Sequence, residues 1–525
     1  MKRVAILLVA AAFGAAWADG DVQQTAEPRD DLDLRVTLSS FIYRESGNDA
    51  APLMANGATL QNASPVHRFF GDLRLELSDA GLAVDTRIRQ TTSARYQSGA
   101  DGGGEYELRT LSYRVGPAHT HLTIGRQFID PVGATKIDGV AFTQSLSEVV
   151  DATVFAGLFP MLGSRSVDTD YVRIQNADGT TGGLLLPLAG GVGVSYTTST
   201  IHGDLGAAGV YVAQDVPGAP AEQKTRVFVA SSGYWRPASE LDIYHFALVD
   251  VAGGNGVAVT NGSIGVDARP VSSLQFTLAY NHVSTDLLQI AARNFLTDPD
   301  PTAIGVVQNN IALLRISQDM ARVGASLALD QRRFELSAMG GLHLRPAVSV
   351  ALADGSAVSF PEARSADASL VALDRRSIAN TRISIAGSLT EPIGNVVPNR
   401  SRGVVGRLIV EKPFANDRGS VEADVMIEHF QDLGTPQACT SSLAPLACYG
   451  TSTTTAGQAG VLVSWRVAKE WLLIADAHAG YQKIGSHYLV PMDAADPTSP
   501  LVDLPVAWPT VLSVTGFMRL QWRYR

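Results

Sequence analysis

Cysteine is almost missing from this chain: 525 residues include only Cys439 and Cys448. Two thiols cannot build a disulfide scaffold, and a thiolate metal centre would need more ligands close by. With eight residues between them, in a stretch rich in Ser, Thr and Pro, they are expected to close one loop by a disulfide in an exported protein. Basic excess is missing too. The formal charge is -10 and no basic stretch stands out, which argues against a nucleic-acid partner. Helix-type sequence at a 3.6-residue period is scarce, and past the first twenty residues no apolar run is long enough for a membrane helix. The motifs G-x-S-x-G, H-E-x-x-H, G-x-x-x-x-G-K-[ST] and a strand-to-helix G-x-G-x-x-G are all absent, so no enzyme activity is expected. The ten histidines are scattered; His119 and His121 share a strand face but lack a third ligand, and neither metal nor cofactor is expected.

What the chain does contain is alternation. From Phe69 to Leu77 one face carries Phe69, Gly71, Leu73, Leu75 and Leu77, and the other Asp72, Arg74 and Glu76. After Ser78-Asp79-Ala80-Gly81 the pattern resumes with Leu82, Val84, Thr86 and Ile88 against Asp85, Arg87 and Arg89. Period two across a tight turn is a β-hairpin. Its polar face carries full charges of both signs, which suits only water.

The N-terminus sets the compartment. Met1-Lys2-Arg3, the apolar stretch from Val4 to Ala16, and Ala16-Trp17-Ala18 read as a secretory signal peptide covering 1–18. Its removal takes away Lys2 and Arg3, moving the charge from -10 to -12. Residues 19–31 form a polar, flexible lead. From 32 to 525 amphipathic strands of roughly ten residues follow one another, and short turns alternate with long connections. Candidate strands at 366–373 and 378–389 share a turn at Asp374-Arg375-Arg376, and 321–330 meets 333–345 at Gln331-Arg332. The count is about 22, with a range of 16 to 22. A mean hydropathy of +0.09 fits alternating lipid-facing and water-facing residues. The expected fold is all-β: a transmembrane antiparallel up-and-down β-barrel with short periplasmic turns and long extracellular loops, in the outer membrane of a Gram-negative bacterium.

Two stretches carry resemblances. In the last strand Gly516, Met518, Leu520, Trp522 and Tyr524 share a face, which resembles the C-terminal signal of bacterial outer-membrane barrels. Arg525 departs from that signal, whose last residue is aromatic. The resemblance implies recognition of 511–525 by the barrel-assembly machinery. Thr123-Ile124-Gly125-Arg126-Gln127, followed by Lys136-Ile137-Asp138-Gly139-Val140, resembles the alginate-export and porin-like outer-membrane channels over some eighteen residues. That resemblance implies a monomeric channel with a charged lumen. By alternation Arg126 shares the face of Leu122 and Ile124, toward lipid, unless a bulge at Gly125 turns it inward.

An Arg facing lipid at the midplane would cost about 2–4 kcal/mol, so the charged faces must meet water. The expected pore-lining residues are Arg35, Arg74, Glu76, Asp85, Arg87, Arg89, Arg126, Arg333, Arg407, Glu422, Asp424, Glu428 and Arg519. Two roles stay open for them: a transverse field between an Arg-rich and a carboxylate-rich wall, or cross-strand ion pairs that brace the wall. A lumen of 22 strands is normally plugged, so the loops at 160–189, 286–320, 346–365 and 483–509 are candidates to fold inward. The function these features suggest is a porin-like channel for small hydrophilic solutes, including sugars or acidic sugars, embedded among outer-membrane lipid and lipopolysaccharide. An occluded barrel that works through its surface loops is the alternative, and a soluble β-protein is a third reading.

Overall fold

A computed structural model describes residues 32–45, 66–93, 104–160, 171, 173–175, 181–214, 225–252, 257–284, 317–351, 357–360, 362–394, 401–433, 451–493, 496–507 and 510–524. Cys439, Cys448 and the N-terminal 31 residues lie outside the described residues.

Twenty-two strands form one closed antiparallel ring. The first seven are β1 (Asp33–Glu45), β2 (Val66–Asp79), β3 (Leu82–Ser93), β4 (Gly104–Val115), β5 (Thr120–Ile129), β6 (Thr135–Ser147) and β7 (Val150–Leu158). The middle of the chain supplies β8 (Leu188–Thr197), β9 (Ile201–Tyr211), β10 (Thr225–Ala238), β11 (Leu241–Ala252), β12 (Ala258–Val271), β13 (Leu274–Val283), β14 (Gln318–Leu329) and β15 (Phe334–Arg345). The last are β16 (Ala363–Ile378), β17 (Thr381–Pro392), β18 (Ser401–Phe414), β19 (Gly419–Asp432), β20 (Thr451–Ala468), β21 (Trp471–Asp493) and β22 (Val511–Tyr524). Each pairs with the next, and β22 closes on β1 from Leu34 opposite Tyr524 to Glu45 opposite Ser513. Closure removes the two free edges that an open sheet would present. Among the described residues the one helical turn is the 3₁₀ segment Asp130–Val132.

The alternation decides which face looks out. Leu38, Ile42, Leu73, Ile88, Val514 and Met518 are exposed on the outside, where lipid covers them. Trp235, Trp465, Trp471, Trp522 and Tyr524 all point outward near the short-turn ends, as a belt at one membrane interface. The charged faces turn into the barrel.

Several boundaries differ from the sequence expectation. The turn expected at Asp374-Arg375-Arg376 lies at Ala379-Asn380, both left-handed with φ of 48° and 55°. This is the geometry a tight hairpin turn needs, and Asn tolerates it well. Arg375 instead continues β16 and reaches Glu335 at 2.7 Å. The loop expected at 483–509 is mostly sheet: β21 runs on to Asp493 and pairs beyond the ring with Asp496–Ala507. Arg333 is not a wall residue. Asp330, Gln331 and Arg332 are all left-handed, so the turn is long enough to hold Arg333, which pairs with Asp330 at 3.5 Å.

Strands spaced about 4.8 Å apart and tilted about 40° make a 22-strand ring roughly 45 Å across. A bore that wide excludes little, so whatever narrows it decides what the barrel can do.

Candidate functional site: the charged wall and an in-folded hairpin

The charged wall is built by β22 and β1 to β4. Directly opposite positions on neighbouring strands bring long side chains together. Arg35 pairs with Glu76 at 3.2 Å, and Arg74 with Glu76 at 2.7 Å. Arg74 also grips Asp85 with two nitrogens, at 3.0 and 2.9 Å. Asp72 accepts from both Arg87 and Arg89. Near the short-turn end Arg523 holds Asp33 at 2.6 Å. Two members went unnoticed in the sequence, Glu107 and Arg109. The register slips one residue between Asp85 and Thr86, leaving Arg109 as the extra residue of a bulge. Arg109 thereby lies 3.6 Å from Asp85 and 3.7 Å from Glu107. Arg74 lies opposite Arg87 and Glu76 opposite Asp85, and the ion pairs run along the strands and diagonally between them, so this part of the wall is braced by ion pairs rather than divided into two charged walls.

The carboxylates of β19 sit on the same inward face. Asp424 is buried and takes Arg407 at 3.3 Å and His478 at 3.4 Å. His478 spans the gap to Asp476 at 3.3 Å because Gly460, directly opposite it, leaves space for the ring. Glu422 faces Glu411 across the ladder, and Arg382, 3.3 Å from Glu411, offsets the like charges. Glu428 shares this face two turns of the pleat further along. Arg519 lies over the ring of Phe517 at 5.2 Å.

The narrowing element is the tip of the β5–β6 hairpin, which none of the nominated loops includes. Gly125, Gly139 and Gly157 lie in register across β5, β6 and β7. A Cβ at these three positions would come within 2.2, 2.2 and 2.6 Å of a neighbouring strand's carbonyl oxygen. Gly125 also has φ of +119°, which favours glycine. At this row the hairpin leaves the wall, and Asp130–Val132 comes to rest inside the barrel on β8, β9 and β10. The seat is a wall stripped of side chains: a Cβ on Gly193 would be 2.3 Å from Pro131 Cβ, and one on Gly206 would be 2.4 Å from the Pro131 carbonyl. Ile129, Val132 and Ile137 then pack with Ala141, Phe155, Ala189, Ala208, Val210 and Phe228. Val132 and Ile137 are completely buried and contribute about 1.5–3 kcal/mol each. Beside the seat, buried Asp250 accepts from Arg226 and from Thr260, both at 2.7 Å.

Arg126 travels with the tip. It is only 4% exposed, donates to Asp138 from Nε and Nη2 at 2.5 Å, and donates to the Leu108 carbonyl at 3.0 Å. Tyr171 caps the pair by donating to Asp138 at 2.5 Å, and burial together with Asp138 pushes its phenol well above the ordinary range. Arg126 is therefore a structural anchor of the tip, with little surface left for a pore. Asp130 is pushed up by burial and by the nearby carboxylate of Asp204.

No family model matches the chain, and no curated protein matches it. Several solved structures align over nearly its whole length with low scores. Pseudomonas aeruginosa OpdQ is 8% identical with a TM-score of 0.39, covering 95% of this chain and 100% of that one. Acinetobacter baumannii OccAB4 is 7% identical with a TM-score of 0.39 over the same shares. The P pilus usher PapC translocation pore is 10% identical with a TM-score of 0.38, covering 93% of this chain and 99% of that one. The architecture rests on the chain itself: a closed 22-strand antiparallel barrel, apolar outside and charged inside, which is the design of a bacterial outer-membrane β-barrel.

Proposed function

We propose that the protein is an outer-membrane channel for small hydrophilic solutes, exported by the signal peptide at 1–18. The observation that carries this reading is that the inward arginines are paired yet still open to the lumen. Arg35, Arg74 and Arg109 keep 30–35% of their side chains open, while the hairpin seat on β8 to β10 is dry. A charged strip that stayed dehydrated would be costly, so the barrel holds water along β22 to β4. The pore-lining set on this reading is Arg35, Arg74, Glu76, Asp85, Arg87, Arg89, Arg407, Glu422, Asp424, Glu428 and Arg519, joined by Glu107 and Arg109. Mixed charge suits sugars and acidic sugars alike. A disulfide between Cys439 and Cys448 would tighten the connection between β19 and β20.

Liposome swelling tests this reading. Vesicles containing the refolded protein should admit a neutral pentose faster than a disaccharide. No swelling with a protein that still shows a heat-dependent gel shift would instead favour the occluded barrel, in which the in-folded hairpin seals the bore.

A further inference from the structure

One part of the wet wall is out of keeping with its surroundings. Apart from Val511 and Val66 at the strand ends, the inward positions of β22, β1 and β2 are polar or charged, yet three neighbouring ones are Phe517, Phe41 and Phe70, in register across the closing seam. Phe41 and Phe70 stack at 5.0 Å with their planes 19° apart. Arg89 lies over Phe70 at 4.7 Å, and Arg519 lies over Phe517 at 5.2 Å. Phe155 and Phe228, buried phenylalanines of the lumen face, are covered by the in-folded hairpin; Phe41, Phe70 and Phe517 are only half-buried.

A guanidinium group flanks the row at each end, over the ring of Phe70 and over the ring of Phe517. Arg89 is committed to Asp72, but Arg519 has no carboxylate within ion-pair distance among the described residues. Asp476, opposite Phe517, is held by His478. An available guanidinium favours an anion, and the apolar ring surface beside it favours one with a flat apolar body.

We propose that Phe41, Phe70, Phe517 and Arg519 form a binding station in the barrel wall for small carboxylates with an apolar ring, which rests on the channel reading above. The carboxylate is held by Arg519 and the ring lies against the phenylalanines. Aromatic pairs at hydrogen-bonded strand positions also stabilise sheets, so the test must read binding as well as stability.

Calorimetric titration of the detergent-solubilised full chain with benzoate, acetate and glucose decides the matter. Benzoate should bind at least tenfold tighter than acetate, and glucose should show no binding. Phe70→Ala and Phe41→Ala should each weaken benzoate roughly tenfold toward the acetate level, as expected when an aromatic contact and its buried area are lost. Arg519→Gln should weaken benzoate and acetate together, and Arg519→Lys should restore part of both. Equal binding of benzoate and acetate, tighter binding of glucose, or phenylalanine variants that melt earlier while binding benzoate normally would overturn the proposal. Since titration needs no open path, benzoate binding by a protein that never conducts would refute the channel and leave the station standing. Conductance without benzoate binding would do the reverse.

Discussion

Pro131 rests on Gly193 with no room for a side chain between them: a Cβ on the glycine would fall 2.3 Å from Pro131 Cβ. Gly206 makes the same demand from the next strand, 2.5 Å from Val132 Cγ1. The seat exists because these strands lack side chains there, and a methyl group should unseat the tip. Gly206→Ala is expected to destabilise the barrel by about 1–3 kcal/mol and to enlarge single-channel conductance. A drop in the heat-modification midpoint together with larger openings would bear this out; unchanged openings would mean the tip does not narrow the path.

Arg126 and Asp138 form the second anchor. Replacing Arg126 with Leu removes the ion-pair partner of Asp138 and should cost about 3 kcal/mol, since one charge of a buried pair is left without its countercharge. The double variant Arg126→Leu/Asp138→Leu should cost less than the two single changes added together. Chemical denaturation of the four proteins measures the coupling; additive losses would mean the pair is not a unit.

Acidity should tighten the tip. Asp130 has its pKa raised by burial first and by Asp204 second; Asp204 is itself held by Ser195 at 2.6 Å and Ser232 at 3.1 Å. A carboxyl raised in the folded state contributes stability that is full below its ordinary value and is lost as pH rises through the raised value. Conductance should therefore grow as pH rises from about 4 toward neutral, and Asp130→Asn should flatten the profile. A wild-type profile as flat as the variant's would contradict this.

Asp72 balances two arginines. Asp72→Ala leaves Arg87 and Arg89 with less countercharge, and an uncompensated charge a few ångströms from a passing ion in water is worth about 1 kcal/mol. The reversal potential in a salt gradient should shift toward anions, by roughly fivefold in permeability ratio. A shift toward cations would show that the two arginines face away from the path.

Much of the barrel was legible because period two and turn chemistry are local. Phe69 to Ile88 alternates without a break, and the structure pairs Leu73 with Ile88 and Arg74 with Arg87 as that alternation requires. Errors came where the chain departs from a regular ladder. The charged Asp374-Arg375-Arg376 looks like a turn, but water at the barrel mouth lets a strand carry charge there, and Ala379-Asn380 turns instead. Glu107 and Arg109 were hidden by a bulge, which shifts parity halfway along β4. The tip was missed because only five residues separate β5 from β6, too few to suggest reach; its reach comes from the strand ends bending at the glycine row. The glycines of β8 and β9 were in plain view, yet alternation cannot say which distant segment fills the space they leave.

Single-channel recording on the refolded protein in a planar bilayer tests the central claim most directly. A wet, charged strip beside a seated hairpin predicts steady ohmic openings that grow when Gly206→Ala displaces the tip. Silence from both proteins, each proven folded by its heat-dependent gel shift, would contradict it.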